Sequence, residues 1–270
     1  MNRLEYGFSW YLDIVSPDWE ALISDNYEFV MPLTIKKKYK LPYIVQPPFA
    51  QQLGIFSSYP ITNDIVKNFI DKIPYFSYEI NTNHKLFRDG GLELPNYVIL
   101  LNKTYHEFRE IYSKNTVRNI EKAKKNELKI INDLSTDDFI ELCYSGEKKY
   151  SETTINLLKN IIYNGLEHNS IKLCGIKNKS EQLISGACFL VSPNRMIYLL
   201  PVSTPEGKKC SSMFLQVDQI IQDYSMSNMI LDFEGSKIDG VARFYKGFGA
   251  IDKPYYTLKK FRPTFLVGKI

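Results

Sequence analysis

The sequence predicts an α/β (α+β) fold of two domains, each a mainly antiparallel sheet flanked by helices. Apolar runs of strand length alternate with amphipathic stretches of helix length along the whole chain. Polar turn segments such as Asn178-Lys179-Ser180-Glu181 and Ser192-Pro193-Asn194 join neighbouring runs into hairpins. The order helix, meander, helix, strand occurs twice, without any repeat at the level of sequence, and 270 residues suffice for two modest domains. The boundary is expected between 130 and 131, with a basic helix before it bridging the halves.

SWYLDIV, at positions 9–15, is aromatic and apolar and suits a strand. Ser16 followed by Pro17 offers an N-cap with proline at the first helical position, so Pro17–Ile23 reads as a short helix. Tyr27–Ile35 and Tyr39–Gln46 read as strands, with the lysine run 36–38 as the charged tip between them. Pro47 and Pro48 exclude an interior strand. A helix follows over Asn63–Lys72, then strands Tyr75–Ile80 and Asn96–Leu101, then a long helical region from Tyr105 to Lys125. There Val117, Ile120 and Ala123 face inward, and Arg118, Lys122, Lys124 and Lys125 face outward.

After a short strand at Leu128–Ile131, Ser135 caps a helix over Asp137–Ser145. The remaining elements are helix Thr153–His168, strands Ile171–Lys177, Leu183–Ser192 and Arg195–Val202, helix Lys208–Ser227, strand Met229–Phe233, helix Ile238–Tyr245 and strand Tyr255–Phe261. The chain enters a strand-like pattern almost at once, so its first sheet is expected to be incomplete at the start.

A net charge of +4 permits an anionic partner without requiring nucleic acid. Cys143, Cys174, Cys188 and Cys210 are too widely spaced for a zinc site or a disulfide framework and read as free thiols. His84, His106 and His168 lack ligand spacing, so no metal is expected. With no signal pattern and no apolar run of spanning length, the protein is expected in the cytoplasm.

The candidate chemistry lies between Leu199 and Lys260. The segment STPEGKKCSS joins a strand to a helix. Amides at a helix start, with Gly207, Lys208, Lys209, Cys210, Ser211 and Ser212 around them, suit a diphosphate; the same pattern also describes an ordinary turn with solvated lysines. Beyond Tyr198, a break in pairing at Pro201 would free the backbone of Leu199–Val202, with Leu200 and Val202, for an amide-rich arm such as pantetheine. Asp232 and Glu234 share one side of a strand end and could take a proton from an attacking amine, or could cap a helix or pair with Arg243. FYKGFG implies a tight bend with positive φ at its glycines, holding Lys246 rigidly for a carbonyl or an anion.

These residues resemble the GNAT acyltransferase superfamily, and within it the FemAB-like, Fem-type peptidyltransferase branch. The likeness rests on GACFLV, MIYLLPVSTPEG, LDFEGS, FYKGFG and the basic helix TVRNIEKAKKN, and covers the second half and the inter-domain helix. The first half looks like the divergent amino-terminal domain of such proteins. The resemblance implies two GNAT-like domains, each a mixed sheet with helices on its faces, and acyl or aminoacyl transfer to a small-molecule or peptide amine. By motif position it implies a charge-stabilising role for Lys246. It implies acyl-CoA or aminoacyl-tRNA as donor, the tRNA less favoured by the small net charge and the missing coiled-coil arm. At the pyrophosphate turn, Glu206, Lys209 and Ser211 stand where the superfamily has Gln or Arg and two glycines. The acceptor groove would run between the halves, within reach of Lys36, Gln51, Gln52 and Arg118. A catalytically inactive member that binds a peptide or glycan precursor is the alternative.

Overall fold

The structure, a computed structural model, describes residues 4–84, 91–236 and 238–260. Phe261, the expected end of the last strand, lies outside them. The chain divides into two compact units, Met1–Pro95 with Pro254–Ile270, and Asn96–Lys253. The expected boundary at 130/131 thus falls inside the second unit, because a strand and two helices before it belong to that unit's sheet and core.

In the first unit, residues Ser9–Val15 form helix α1, not the expected strand. Tyr11, Leu12 and Val15 are buried, a helical i, i+1, i+4 stripe that outweighs the strand preference of the aromatic residues. The expected helix at Pro17–Ile23 is instead a turn into strand β1 (Glu20–Ile23). With β2 (Phe29–Leu33) and β5 (Phe56–Ser57), β1 forms a three-stranded antiparallel sheet. Strands β3 (Ile35–Lys38) and β4 (Leu41–Val45) form a hairpin. Lys36 to Lys38 are in β3, and the tip is Tyr39-Lys40, both at positive φ. A second sheet has the order β3, β4, β6 (Tyr78–Thr82), the C-terminal strand Tyr255–Lys260, and β7 (Leu92–Leu94). Helix α2 (Asn63–Asp71) starts where the Thr62 hydroxyl accepts from the Ile65 N–H at 3.4 Å, and Val66 packs with Met31, Leu33, Ile44 and Ile80.

The second unit is built on a seven-stranded sheet. Its elements are β8 (Tyr97–Leu100), α3 (Tyr105–Ile111), α4 (Lys114–Lys125), β9 (Lys129–Ile131), α5 (Thr136–Ser145), α6 (Glu152–Glu167), β10 (Ile171–Lys177), β11 (Leu183–Ser192) and β12 (Arg195–Ser203). There follow α7 (Pro205–Lys209), α8 (Ser212–Asp223), β13 (Ile230–Asp232), α9 (Asp239–Gly247) and β14 (Ile251–Asp252). The strand order is β14-β8-β13-β12-β11-β10-β9, antiparallel throughout except for β12 beside β13.

The long helical region expected from Tyr105 to Lys125 is two helices. Extended backbone at Tyr112 and Ser113 separates them, and the Ser113 hydroxyl accepts from the Thr116 N–H at 3.1 Å to start α4. In α4, Ile120 and Ala123 are buried as the spacing requires. Val217, Ile220 and Ile221 of α8 pack against Cys174, Phe189, Met196 and Leu231 of the sheet. Each such side chain, fully buried, contributes about 1.5–3 kcal/mol. The sheet is mixed and mainly antiparallel, with helices packed on it, as the sequence predicts.

Candidate active site

The site follows from how β12 ends its two partnerships. Its parallel pairing with β13 covers only Arg195 to Ile197, opposite Ile230 to Asp232, whereas β12 runs on against β11 to Ser203. A bulge lies at the point of parting, where Tyr198 and Leu199 stand against Phe189 alone. A bulge increases local twist and turns a strand away from its neighbour. The splay that the sequence could only suggest is therefore present, and begins at Tyr198.

A cavity of about 370 Å³ lies beside β12 past the point of parting. Tyr198, Pro201, Val202 and Ser203 of β12 form one wall, and Glu147, Lys148 and Tyr150 stand at the end of α5. The turn and the start of α8 contribute Gly207, Lys208, Ser211, Ser212, Met213 and Phe214. Helix α9 closes it with Gly240, Val241, Phe244 and Tyr245, a stripe at i, i+1, i+4 and i+5.

Backbone donors differ from expectation. The Thr204 N–H donates to the Ile184 carbonyl at 3.0 Å. By the two-residue alternation of an antiparallel pair, Val202 and Leu200 also direct their N–H groups at β11, and Pro201 has none. The N–H groups of Leu200 and Val202, expected to be free for an amide-rich arm, thus do not face the opening. The alternation turns the Ser203 N–H to the open side, while the Ser203 carbonyl accepts from the Glu147 N–H at 3.2 Å. Leu200 is off the cavity wall.

The turn is stitched to itself. The Thr204 hydroxyl accepts from the Gly207 N–H at 3.1 Å, and Pro205 opens α7. A Cβ at Gly207 would lie 2.3 Å from the Ile184 carbonyl oxygen, so this glycine serves close packing on β11. Ser211, at φ 61°, breaks the single expected helix into α7 and α8; its hydroxyl donates to Asn119 at 2.8 Å. The Ser212 hydroxyl donates to the Gly207 carbonyl at 2.9 Å, and Lys208 is ion-paired with Glu147. Lys209 is exposed and off the wall, and Cys210 packs with Ala123, Ile184 and Leu215.

Two tyrosines dominate the deep wall. Tyr198 is 2% exposed, and its hydroxyl has no hydrogen-bond partner among the described residues. Burial pushes its pKa well up. Tyr245 stacks on Phe233, centroids 4.5 Å apart at 15°. Burial first, then the charge of Glu234, raises its pKa, so at neutral pH the phenol keeps its proton. Tyr245 was not singled out from the sequence, although the spacing of Val241, Phe244, Tyr245 and Phe248 marks it as the inward residue of FYKGFG.

The expected acid pair is split. Asp232 is 2% exposed and ion-paired with Arg195; its carboxylate also accepts from the Glu234 N–H at 2.9 Å. Burial raises its pKa, against Arg195 and the hydrogen bonds that lower it. It locks the closed end of β12 and does not line the cavity. Glu234, past the strand end at φ 59°, is also off the cavity wall, but it is partly exposed and close enough to Tyr245 to act on its pKa. Lys246 is exposed, its Nζ 5.3 Å from the centre of the Tyr97 ring, away from the cavity. Its segment is not the expected bend either: α9 runs through Gly247, and only Gly249 has positive φ.

Arg118 is exposed on α4 and donates to Asn115 at 2.8 Å, off the wall. Lys36, Gln51 and Gln52 belong to the first unit. There the Gln51 carbonyl accepts from Asn81 at 2.8 Å, and Gln52 donates to the Gln51 side chain at 2.9 Å. Among the described residues no His, Cys, Asp or Glu cluster could hold a metal ion, and no helix is long and apolar enough to cross a membrane.

No protein-family model and no curated protein matches the chain. Solved structures do. It superposes on FemX with a TM-score of 0.69 at 12% identity, over 94% of this chain and 92% of that one. For L-PGS from Bacillus licheniformis the TM-score is 0.56 at 10% identity, over 94% and 90%. For a conserved protein of unknown function from Bacteroides thetaiotaomicron it is 0.57 at 10% identity, over 93% and 88%. The chain shares the fold of FemX and L-PGS.

Proposed function

We propose that this chain is an N-acyltransferase that moves an acyl or aminoacyl group from an ester or thioester donor to an amine by direct attack. The observation that carries the proposal is the parting of β12 from β13 beside a cavity with the protonated Tyr245 on its wall. The fold shared with FemX supports the same class.

In this reading the donor carbonyl sits at the mouth of the parting, where the outward N–H of Ser203 meets the developing oxyanion. The amine nitrogen attacks the carbonyl carbon, and a C–N bond forms. Glu234 takes the amine proton, directly or through a water. The C–O or C–S bond to the leaving group then breaks, Tyr245 hands its proton to the departing oxygen or sulfur, and the proton held by Glu234 returns to the Tyr245 oxygen, directly or through a water. Asp232 and Lys246 take no part, the first serving the Arg195 lock and the second the surface.

Mass-spectrometric detection of amide product tests the proposal, with ester and thioester donors offered to a panel of amines, including peptide amines. A new amide formed only with intact protein is expected. No amide from any pairing would leave the second reading, a binding module without catalysis, which the locked Asp232 and the self-bonded turn favour.

A further inference from the structure

We propose that the tip of the β3–β4 hairpin, with the sheet end beside it, docks the first unit onto an anionic lipid surface. The proposal goes beyond acyl transfer and does not depend on it.

Topology gathers three distant stretches of chain at one end of the five-stranded sheet. β4 and β6 run parallel, with Ile44 beside Tyr78, and Lys260 of the C-terminal strand stands opposite Tyr78 on its other side. The hairpin continues past this row to its turn at Tyr39-Lys40, about 10 Å farther at the rise of a strand. Phe76 lies two residues ahead of β6, at the same end. Cations and apolar groups are interleaved there. Lys36, Lys40 and Lys260 are exposed, and the Lys38 Nζ is 6.0 Å from the centre of the Tyr39 ring. Among them Tyr39 is 77% exposed, Phe76 70% and Leu41 52%. Lys37 is paired with Asp18 and Lys259 with Glu79, whereas Lys36, Lys38, Lys40 and Lys260 have no carboxylate partner among the described residues.

Edge protection does not account for this patch. Lysines on an edge strand discourage strand addition, which explains Lys36 to Lys38 on β3. It does not explain Lys40 in the turn, or three large apolar side chains held in water. The turn itself gives up stability. Both central residues have positive φ, 52° at Tyr39 and 64° at Lys40, where Asn-Gly would fit without strain. A ring and a cation stand at the apex instead, as at a site kept for binding. On an anionic lipid surface the lysine heads reach phosphates, while their stems and the apolar side chains enter the boundary between headgroups and acyl chains. Duplex nucleic acid would satisfy the charges but leave Leu41 and Phe76 in water.

Co-sedimentation of the whole chain with vesicles tests this, comparing equal parts phosphatidylglycerol and phosphatidylcholine with phosphatidylcholine alone. Binding to the anionic vesicles only is expected, and it should fall as salt rises. Tyr39→Asn combined with Lys40→Gly should weaken it about tenfold or more, since one lysine near the surface is worth about fivefold. The melting temperature of that variant should stay level or rise, because the turn is relieved. Lys36→Gln should weaken binding about fivefold. Phe76→Ser, on another stretch of chain, should weaken it severalfold and leaves the hairpin intact. Binding that ignores all three variants, equal binding to the uncharged vesicles, or no binding to either would overturn the proposal. Tighter binding of duplex RNA, lost in the same variants, would assign the patch to nucleic acid instead. A dimer in sedimentation that only the variants dissolve would assign it to a second copy of the chain. Each of these outcomes leaves the acyl-transfer reading standing.

Discussion

The two ends of β12 are built for opposite tasks. From Arg195 to Ile197 the strand is paired on both sides, and the charges of Arg195 and Asp232 cancel each other in the interior. From Tyr198 to Ser203 it keeps only β11, and its other edge borders a cavity. One strand thus combines a lock that fixes the angle of parting with an opening that uses it. Carboxylates at strand ends are tempting as catalysts, but at the closed end geometry makes Asp232 a brace.

The sharpest way to break this comparison is to exchange the expected effects of the two ends. At the open end, Tyr245→Phe should lower turnover by about 10²-fold or more, with little change in melting temperature. Burial and Glu234 push the phenol's pKa up, so the donor form is lost only above the ordinary tyrosine value of about 10. The pH profile of kcat/KM should accordingly show no alkaline fall below that value. At the closed end, Asp232→Ala leaves a mostly buried guanidinium without its partner. Denaturant unfolding should report a loss of about 3–5 kcal/mol, with specific activity of the folded fraction retained. A large loss of turnover without a loss of stability would assign catalysis to Asp232.

Smaller effects sharpen the picture of the turn. Gly207→Ala drives a methyl group at the Ile184 carbonyl and should cost about 1–3 kcal/mol by urea titration. Lys208→Ala removes an exposed ion pair with Glu147, and the change in stability should stay at about 0–1 kcal/mol.

Much of this was legible in the sequence. The hairpins of β10, β11 and β12 are where alternation and turn residues place them, and Ser135 caps α5 as its spacing predicts. Tyr198, Val202, Gly207, Lys208, Ser211 and Ser212 do come together around one cavity. Other features depend on residues far apart in the chain. The partner that claims Asp232 lies 37 positions away, at the other end of a hairpin strand. The packing demand on Gly207 comes from Ile184, and nothing in PEGKKCSS reveals it. The aromatic composition of SWYLDIV suits a strand, and only the burial of Tyr11, Leu12 and Val15 on one stripe, set by packing with distant residues, makes it α1. In FYKGFG the lysine drew attention by its charge, whereas helical spacing turns the neighbouring tyrosine inward.

The central claim is that the donor occupies the open end of β12. Hydrogen–deuterium exchange with and without saturating N-acetylcysteamine thioester of 3-phenylpropanoate tests it most directly. The account predicts slowed exchange in 198–203, 212–214 and 240–245, and none in 195–197 or 230–232. Protection confined to the closed end, to the first unit, or absent altogether would contradict it.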